Sequence, residues 1–108
     1  QPEKAVPLFE KAAQLQPQNI DFWLNLARAA LATSQFDKVS QALDKATTLT
    51  PNNPSVLAVI FDFQWQTGNY TEARETALRW RQLSPTDENA RWLAEVEKKL
   101  KEQNPQER

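Results

Sequence analysis

"LQPQN" at residues 15–19 returns as "LTPNN" at 49–53 and as "LSPTD" at 83–87, so nearly the same pentapeptide recurs every 34 residues. Laid on itself with that shift, the chain aligns Leu15 with Leu49 and Leu83, Pro17 with Pro51 and Pro85, and Lys11 with Lys45 and Arg79. Ala12 meets Ala46, and Asn19 meets Asn53 and Asp87, in the same register. Several coincidences in one register identify an array of repeated structural units.

Between the pentapeptides each unit holds two stretches of helical spacing. Ile20, Trp23, Leu24, Ala27, Ala30 and Leu31 predict a helix over about 20–33, and Val39, Ala42, Leu43, Ala46 and Leu49 a second over about 37–50. Asn19 is placed to cap the first, its side-chain oxygen accepting a free N–H of the opening turn. Asn53 followed by Pro54 repeats that signal, because proline at the first helical position gives up only an N–H that has no partner there. Ser34-Gln35 in one unit and Gly68-Asn69 in the next fall between the helices. Gly68 takes the left-handed conformation at little cost, and Asp37 or Thr71 is expected to cap the helix that follows. The second helix of each unit stops ahead of its proline, since the residue before proline is driven out of the helical region. The recurring pentapeptide is therefore punctuation: its leucine closes an apolar stripe, its proline stops one helix, and its Asn or Asp starts the next.

"VLAVIFDF" at 56–63 has the composition of a buried strand. The 34-residue phase decides for helix, because this segment falls where 22–29 falls. A helix apolar nearly all round is expected where neighbours cover both of its sides.

A helix–turn–helix unit of this length resembles the tetratricopeptide repeat. The first full unit offers Trp23, Leu26, Ala27 and Ala30, then Phe36, Val39, Leu43, Ala46 and Pro51; the second offers Leu57, Ile60, Phe61, Gly68, Tyr70, Ala73, Ala77, Trp80 and Pro85. Val39 stands where the family usually has alanine. Phe61 replaces a small residue opposite Ala73, and Ala77 and Trp80 exchange the usual large and small positions, departures that balance in volume. Upstream, Ala5, Phe9, Ala12 and Pro17 match only the second helix of a unit, and Pro7 predicts an irregular first turn or a start later than Glu3. Trp92, Leu93, Val96 and Leu100 form one stripe on a helix of about 87–102, otherwise rich in Glu and Lys, that looks like the polar cap closing such arrays.

The resemblance implies an all-α fold, a right-handed α-α superhelix of antiparallel helix pairs with a C-terminal capping helix. The implied organisation is the second helix of a truncated repeat at 1–17, full repeats at 18–51 and 52–85, the capping helix at 86–103 and a tail at 104–108. The sequence holds no methionine. It is therefore expected to be a processed product or a piece of a longer protein.

Bulk properties narrow the function. A chain of 108 residues buries roughly two thirds of its unfolded surface if it folds as one globule, enough for a core without covalent staples. Thirteen basic and fourteen acidic residues give a net charge of −1, and the two signs are interleaved. This pattern argues against a nucleic-acid or anionic-membrane surface. The longest apolar run, Val56 to Phe61, is too short to span a bilayer, and the first residues show no basic stretch followed by an apolar one, so no targeting segment is expected among them. The chain reads as soluble, and the lack of cysteine fits a reducing or an oxidising compartment equally.

With neither histidine nor cysteine, the commonest general base, metal ligand and thiol nucleophile are missing. A single glycine rules out a glycine-rich phosphate loop. Asp21 with Arg28 and Glu72 with Glu75 read as solvated faces and cap charges. Neither a catalytic site, a cofactor nor a metal is expected.

By the resemblance, the first helix of each unit lines a concave surface that holds a peptide or protein segment. Its inward positions are Asp21, Leu24, Asn25, Arg28 and Leu31 in one unit, and Ser55, Ala58, Val59, Asp62, Trp65 and Gln66 in the next, with Trp92 from the last helix. In family members that hold an extended peptide, an asparagine at the place of Asn25 bonds the ligand backbone, and an amide suits that task because it both donates and accepts. The plainer alternatives are that Asn25 is an exposed polar residue, that Trp92 covers the end of the core and that Trp65 packs on a neighbouring helix. Only Asn25 and Arg28 stand where a carboxylate clamp needs several cations and amides, so clamping of chaperone C-termini is not expected. The second expectation is self-association, with a symmetric homodimer as its simplest form, because the first helix lacks its partner and Val6, Phe9 and Ala13 or their neighbours would leave an apolar face uncovered.

Overall fold

The computed structural model describes residues 1–103; the expected tail at 104–108 lies outside them. Among the described residues there are six helices and no strand: α1 (Pro2–Leu15), α2 (Ile20–Ala32), α3 (Phe36–Leu49), α4 (Pro54–Gln66), α5 (Tyr70–Leu83) and α6 (Asp87–Gln103). The strand-like segment 56–63 is helical and lies inside α4, where Val56, Leu57, Val59 and Phe61 are buried. Register with the neighbouring repeat outweighs β-propensity there.

The chain divides into two compact units, one from Gln1 to Val59 and the other from Ile60 onward. The division falls within α4 and coincides with no boundary of the sequence repeat. A single repeat cannot bury its own apolar face, so the compact body and the sequence period need not agree.

In the first unit α2 packs against both α1 and α3. Five alanines, Ala13, Ala27, Ala30, Ala42 and Ala46, are fully withdrawn from solvent. Side chains this small let helix backbones approach closely while Val6, Leu26, Val39 and Leu43 fill the remaining space.

In the second unit α5 packs against α6, and the interior is aromatic. Phe61 meets Trp65, Trp80 and Trp92 at ring-centroid distances of 6.0, 6.2 and 5.7 Å. Trp65 in turn lies 5.3 Å from Tyr70 and 5.3 Å from Trp92, both edge to face. Such offset and perpendicular pairs follow from the ring quadrupole, negative on the face and positive at the edge.

The punctuation is closely reproduced. Gln16, Thr50 and Ser84 each precede a proline, each has an extended backbone, and each N–H donates to the carbonyl four residues back at 2.9 Å. Asn19 Oδ1 accepts from the Asp21 N–H at 3.0 Å, and Asn53 Oδ1 from the Ser55 N–H at 2.8 Å.

The third loop shifts by one residue. Asp87 is the first helical residue, and Thr86 caps α6 instead: its Oγ1 accepts from the Asn89 N–H at 3.1 Å, while Asn89 Oδ1 accepts from the Thr86 N–H at 3.0 Å. This is a reciprocal capping box with asparagine in the place of the usual Glu or Gln. Asn89 is fully buried, and its amide also donates to the Ser84 carbonyl at 2.8 Å.

Two local expectations are corrected. Asp37 and Thr71 are not caps: the cap positions of α3 and α5 fall two residues earlier, at Gln35 and Asn69, which make no side-chain capping bond. Those side chains turn backward instead, donating to Thr33 Oγ1 and Thr67 Oγ1 at 2.7 and 2.9 Å. Pro7 does not delay α1, which is helical from Pro2 and runs through Pro7. Proline there forgoes one backbone bond, and the packing of α1 on α2 outweighs that loss.

Candidate functional site

On α2, residues 21, 25 and 28 share one face by helical spacing, while 23 and 26 lie on the opposite side. The first face is polar: Asp21 and Arg28 are exposed and Asn25 is half-buried. Within the first unit, the side chains of all three make no hydrogen bond or ion pair. An amide, a guanidinium and a carboxylate are thus displayed in a row along roughly 10 Å of helix.

Leu24 and Leu31 do not belong to that face. They are 4% and 7% exposed, because α2 lies between α1 and α3 and its apolar positions turn inward. Their place among the groove residues is therefore corrected to core.

In the second unit, Asp62 is exposed on α4, and Trp65 and Trp92 are half-buried. The two indoles touch, with planes at 70°. Each has already found ring partners inside the protein, which favours the plainer reading of both as cover over the core, with part of each ring left accessible. Tyr70 and Trp80 complete the cluster, and sequence reading did not connect them with Trp92. The available signal was the excess of rings in one repeat compared with its neighbour.

The expected self-association face also needs correction. Val6 and Ala13 are 2% and 0% exposed, since α1 turns them toward α2, and Phe9 is half-buried. The accessible apolar residues of α1 are Leu8 and Leu15, 70% and 72% exposed and two turns apart on one face. Register with the next repeat marks this face: Leu8 corresponds to Ala42, which is buried in α3.

Sequence reading also missed a cavity of about 250 Å³ in the first unit, lined by Glu10 and Gln14 of α1, Trp23 and Leu26 of α2, and Lys38, Gln41, Ala42 and Lys45 of α3. Its signal lay in spacing: 38, 41 and 45 share one face of α3, as 10 and 14 do on α1. Among the described residues, no cluster of three or more acidic side chains is placed to hold a metal ion, and no helix is long and apolar enough to cross a membrane.

Consecutive helices in a 34-residue register define a helical-repeat protein. The tetratricopeptide repeat profile matches residues 1–60, more than half of the sequence, and the chain belongs to that family. It is also similar to cellulose synthase operon protein C of Komagataeibacter xylinus, with 37% identity over 62 residues; the match covers 57% of this chain and 5% of that protein. The chain thus spans only a small fraction of that relative's length. Repeats of this family are generally non-catalytic modules that bind proteins or peptides.

Proposed function

We propose that the chain is a non-catalytic protein-interaction scaffold that holds a peptide or protein segment on the polar face of α2, with Asn25 bonding the segment's backbone and Arg28 its carboxylates. The observation that carries this reading is the half-buried Asn25 amide, unpaired within its own unit. Partly desolvated polar groups without a protein partner favour a ligand that supplies the missing bonds. In the second unit, the accessible parts of Trp65 and Trp92, with Asp62, offer a separate patch of aromatic and acidic character.

The test is selection of binders from a random peptide library displayed on phage, followed by titration of the selected peptides against wild type and against Asn25→Ala combined with Arg28→Ala. The reading expects the double variant to weaken binding by more than about tenfold, as loss of charge-assisted and backbone hydrogen bonds does. Undiminished binding would overturn it. The likeness to a protein named for a cellulose synthase operon makes components of such an operon the first natural partners to try.

A second reading rests on Leu8 and Leu15: α1 serves as an assembly face, covered by another copy of the chain. Light scattering over a hundredfold concentration range, with Leu8→Glu and Leu15→Glu combined as control, decides it. A wild-type chain that stays monomeric throughout removes self-association.

A further inference from the structure

The cavity in the first unit lies on the side of α2 away from Asp21, Asn25 and Arg28, and the proposed function makes no use of it. Leu26 and Ala42 are buried at its floor. The half-buried Trp23 adds an indole whose Nε1–H donates to the Pro17 carbonyl at 2.9 Å. That bond ties the ring to the punctuating proline, so the aromatic wall is held in place before any ligand arrives. At one end, Lys38 and Glu10 form an ion pair at 2.9 Å that joins α3 to α1. Farther along α3 stands Lys45, with no hydrogen bond or ion pair within its unit. Gln14 and Gln41 stand on the two walls, exposed and likewise unbonded within the unit.

Charge and shape together specify an occupant. Two lysines against one glutamate leave the cavity lining net positive, and Glu10 already occupies Lys38. The unmatched cation is Lys45. From Lys38 to Lys45 the groove runs about 10 Å along α3, the span of about three residues of extended chain. Its floor takes one apolar side chain, and its walls offer amides that both donate to and accept from a backbone.

We propose that this cavity is a second protein-binding site of the chain, independent of the polar face of α2, that takes a short extended segment with an apolar residue followed by acidic residues. The apolar side chain lies against Trp23, Leu26 and Ala42. A carboxylate of the segment meets the Lys45 ammonium, and Gln14 and Gln41 bond its backbone. The interaction is weak as a single contact and is screened by salt, because Lys45 is exposed.

The probe is a blocked tripeptide of one leucine followed by two glutamates, titrated to millimolar concentration against the 15N-labelled chain. The readout is the four indole N–H resonances, assigned by single Trp→Phe substitution. The expected result is a saturable shift of the Trp23 resonance, with affinity reduced about fivefold when glutamines replace the glutamates of the peptide, and by a similar factor in Lys45→Gln. Because Lys45 is exposed, that variant keeps the fold. A glutamine peptide that binds equally well, a Trp23 resonance that does not move, or shifts confined to Trp65 and Trp92 would each overturn the proposal. None of these outcomes bears on Asn25 and Arg28, whose test is separate.

Discussion

Position 27 is alanine and position 61, one repeat later, is phenylalanine; position 46 is alanine and position 80 is tryptophan. All four are buried. One helical frame thus supports two interiors, a first unit closed on methyl groups and a second closed on rings. At 43 and 77 the exchange runs the other way, from leucine to alanine, so the added ring volume is partly compensated. A polar exchange accompanies it. Where the first unit has Ala30 and Ala42, the second has Gln64 and Thr76, and the Thr76 hydroxyl donates to Gln64 Oε1 at 2.7 Å. The period therefore specifies where helices start and stop, while the filling between them is free to vary so long as volume and hydrogen bonding balance.

The sharpest way to break the comparison is to remove its central ring. Phe61→Ala takes away the partner of Trp65, Trp80 and Trp92 and should destabilise the protein by about 3–5 kcal/mol, read from the urea midpoint. The reverse change, Ala27→Phe in a fully buried site of the first unit, should cost about 1–3 kcal/mol by overpacking. If Ala27→Phe proved neutral, the first interior would have room that its alanines do not suggest. The polar pair makes a subtler contrast. Gln64→Ala or Thr76→Ala alone should cost about 1 kcal/mol, whereas the double variant, which restores the alanine pair of the first unit, should cost less than the sum of the two in a double-mutant cycle.

The smallest effect belongs to the two inter-helix turns. Ser34 and Gly68 both adopt positive φ, 57° and 77°. In each turn the next N–H reaches the carbonyl five residues back at 2.8 Å, Gln35 to Ala30 and Asn69 to Gln64, which is the bonding of a Schellman motif. A Cβ on Gly68 meets nothing within 4 Å, so only the backbone conformation penalises a side chain there. Gly68→Ala should therefore cost about 1 kcal/mol, and Ser34→Gly should gain somewhat less than that, since glycine adds entropy to the unfolded chain. Thermal midpoints of the two variants moving in opposite directions would show that the turns are one device with two residues.

Much of this fold was legible from punctuation. Pro17, Pro51 and Pro85 act through fixed backbone geometry, which is local and therefore readable. Asn19 and Asn53 cap as expected for the same reason. Asp87 misled because Thr86, one residue earlier, makes the reciprocal pair with Asn89, and the choice between two adjacent capping residues depends on a loop that Arg81 also braces, donating to Asn89 Oδ1 at 3.0 Å. The interaction surfaces were less legible. Leu24 and Leu31 share α2 with Asn25 and Arg28, and spacing alone does not say how far round the helix its neighbours reach. Val6 and Leu8 posed the same problem on α1, where only the three-dimensional packing separates the covered face from the open one. The family profile matches through residue 60, and residue 61 is the first of the ring substitutions, so the least typical interior begins where the match ends.

The ring cluster of the second unit also has an optical consequence. Trp65 and Trp92 are close enough, and steeply enough inclined at 70°, for their electronic transitions to couple and give a paired circular dichroism signal in the native state. Trp23, the sole tryptophan of the first unit, has no such close indole neighbour within its unit. Melting of the second unit is therefore expected to extinguish a dichroic couplet that the first unit does not produce, so the aromatic interior can be followed by itself in an unlabelled sample.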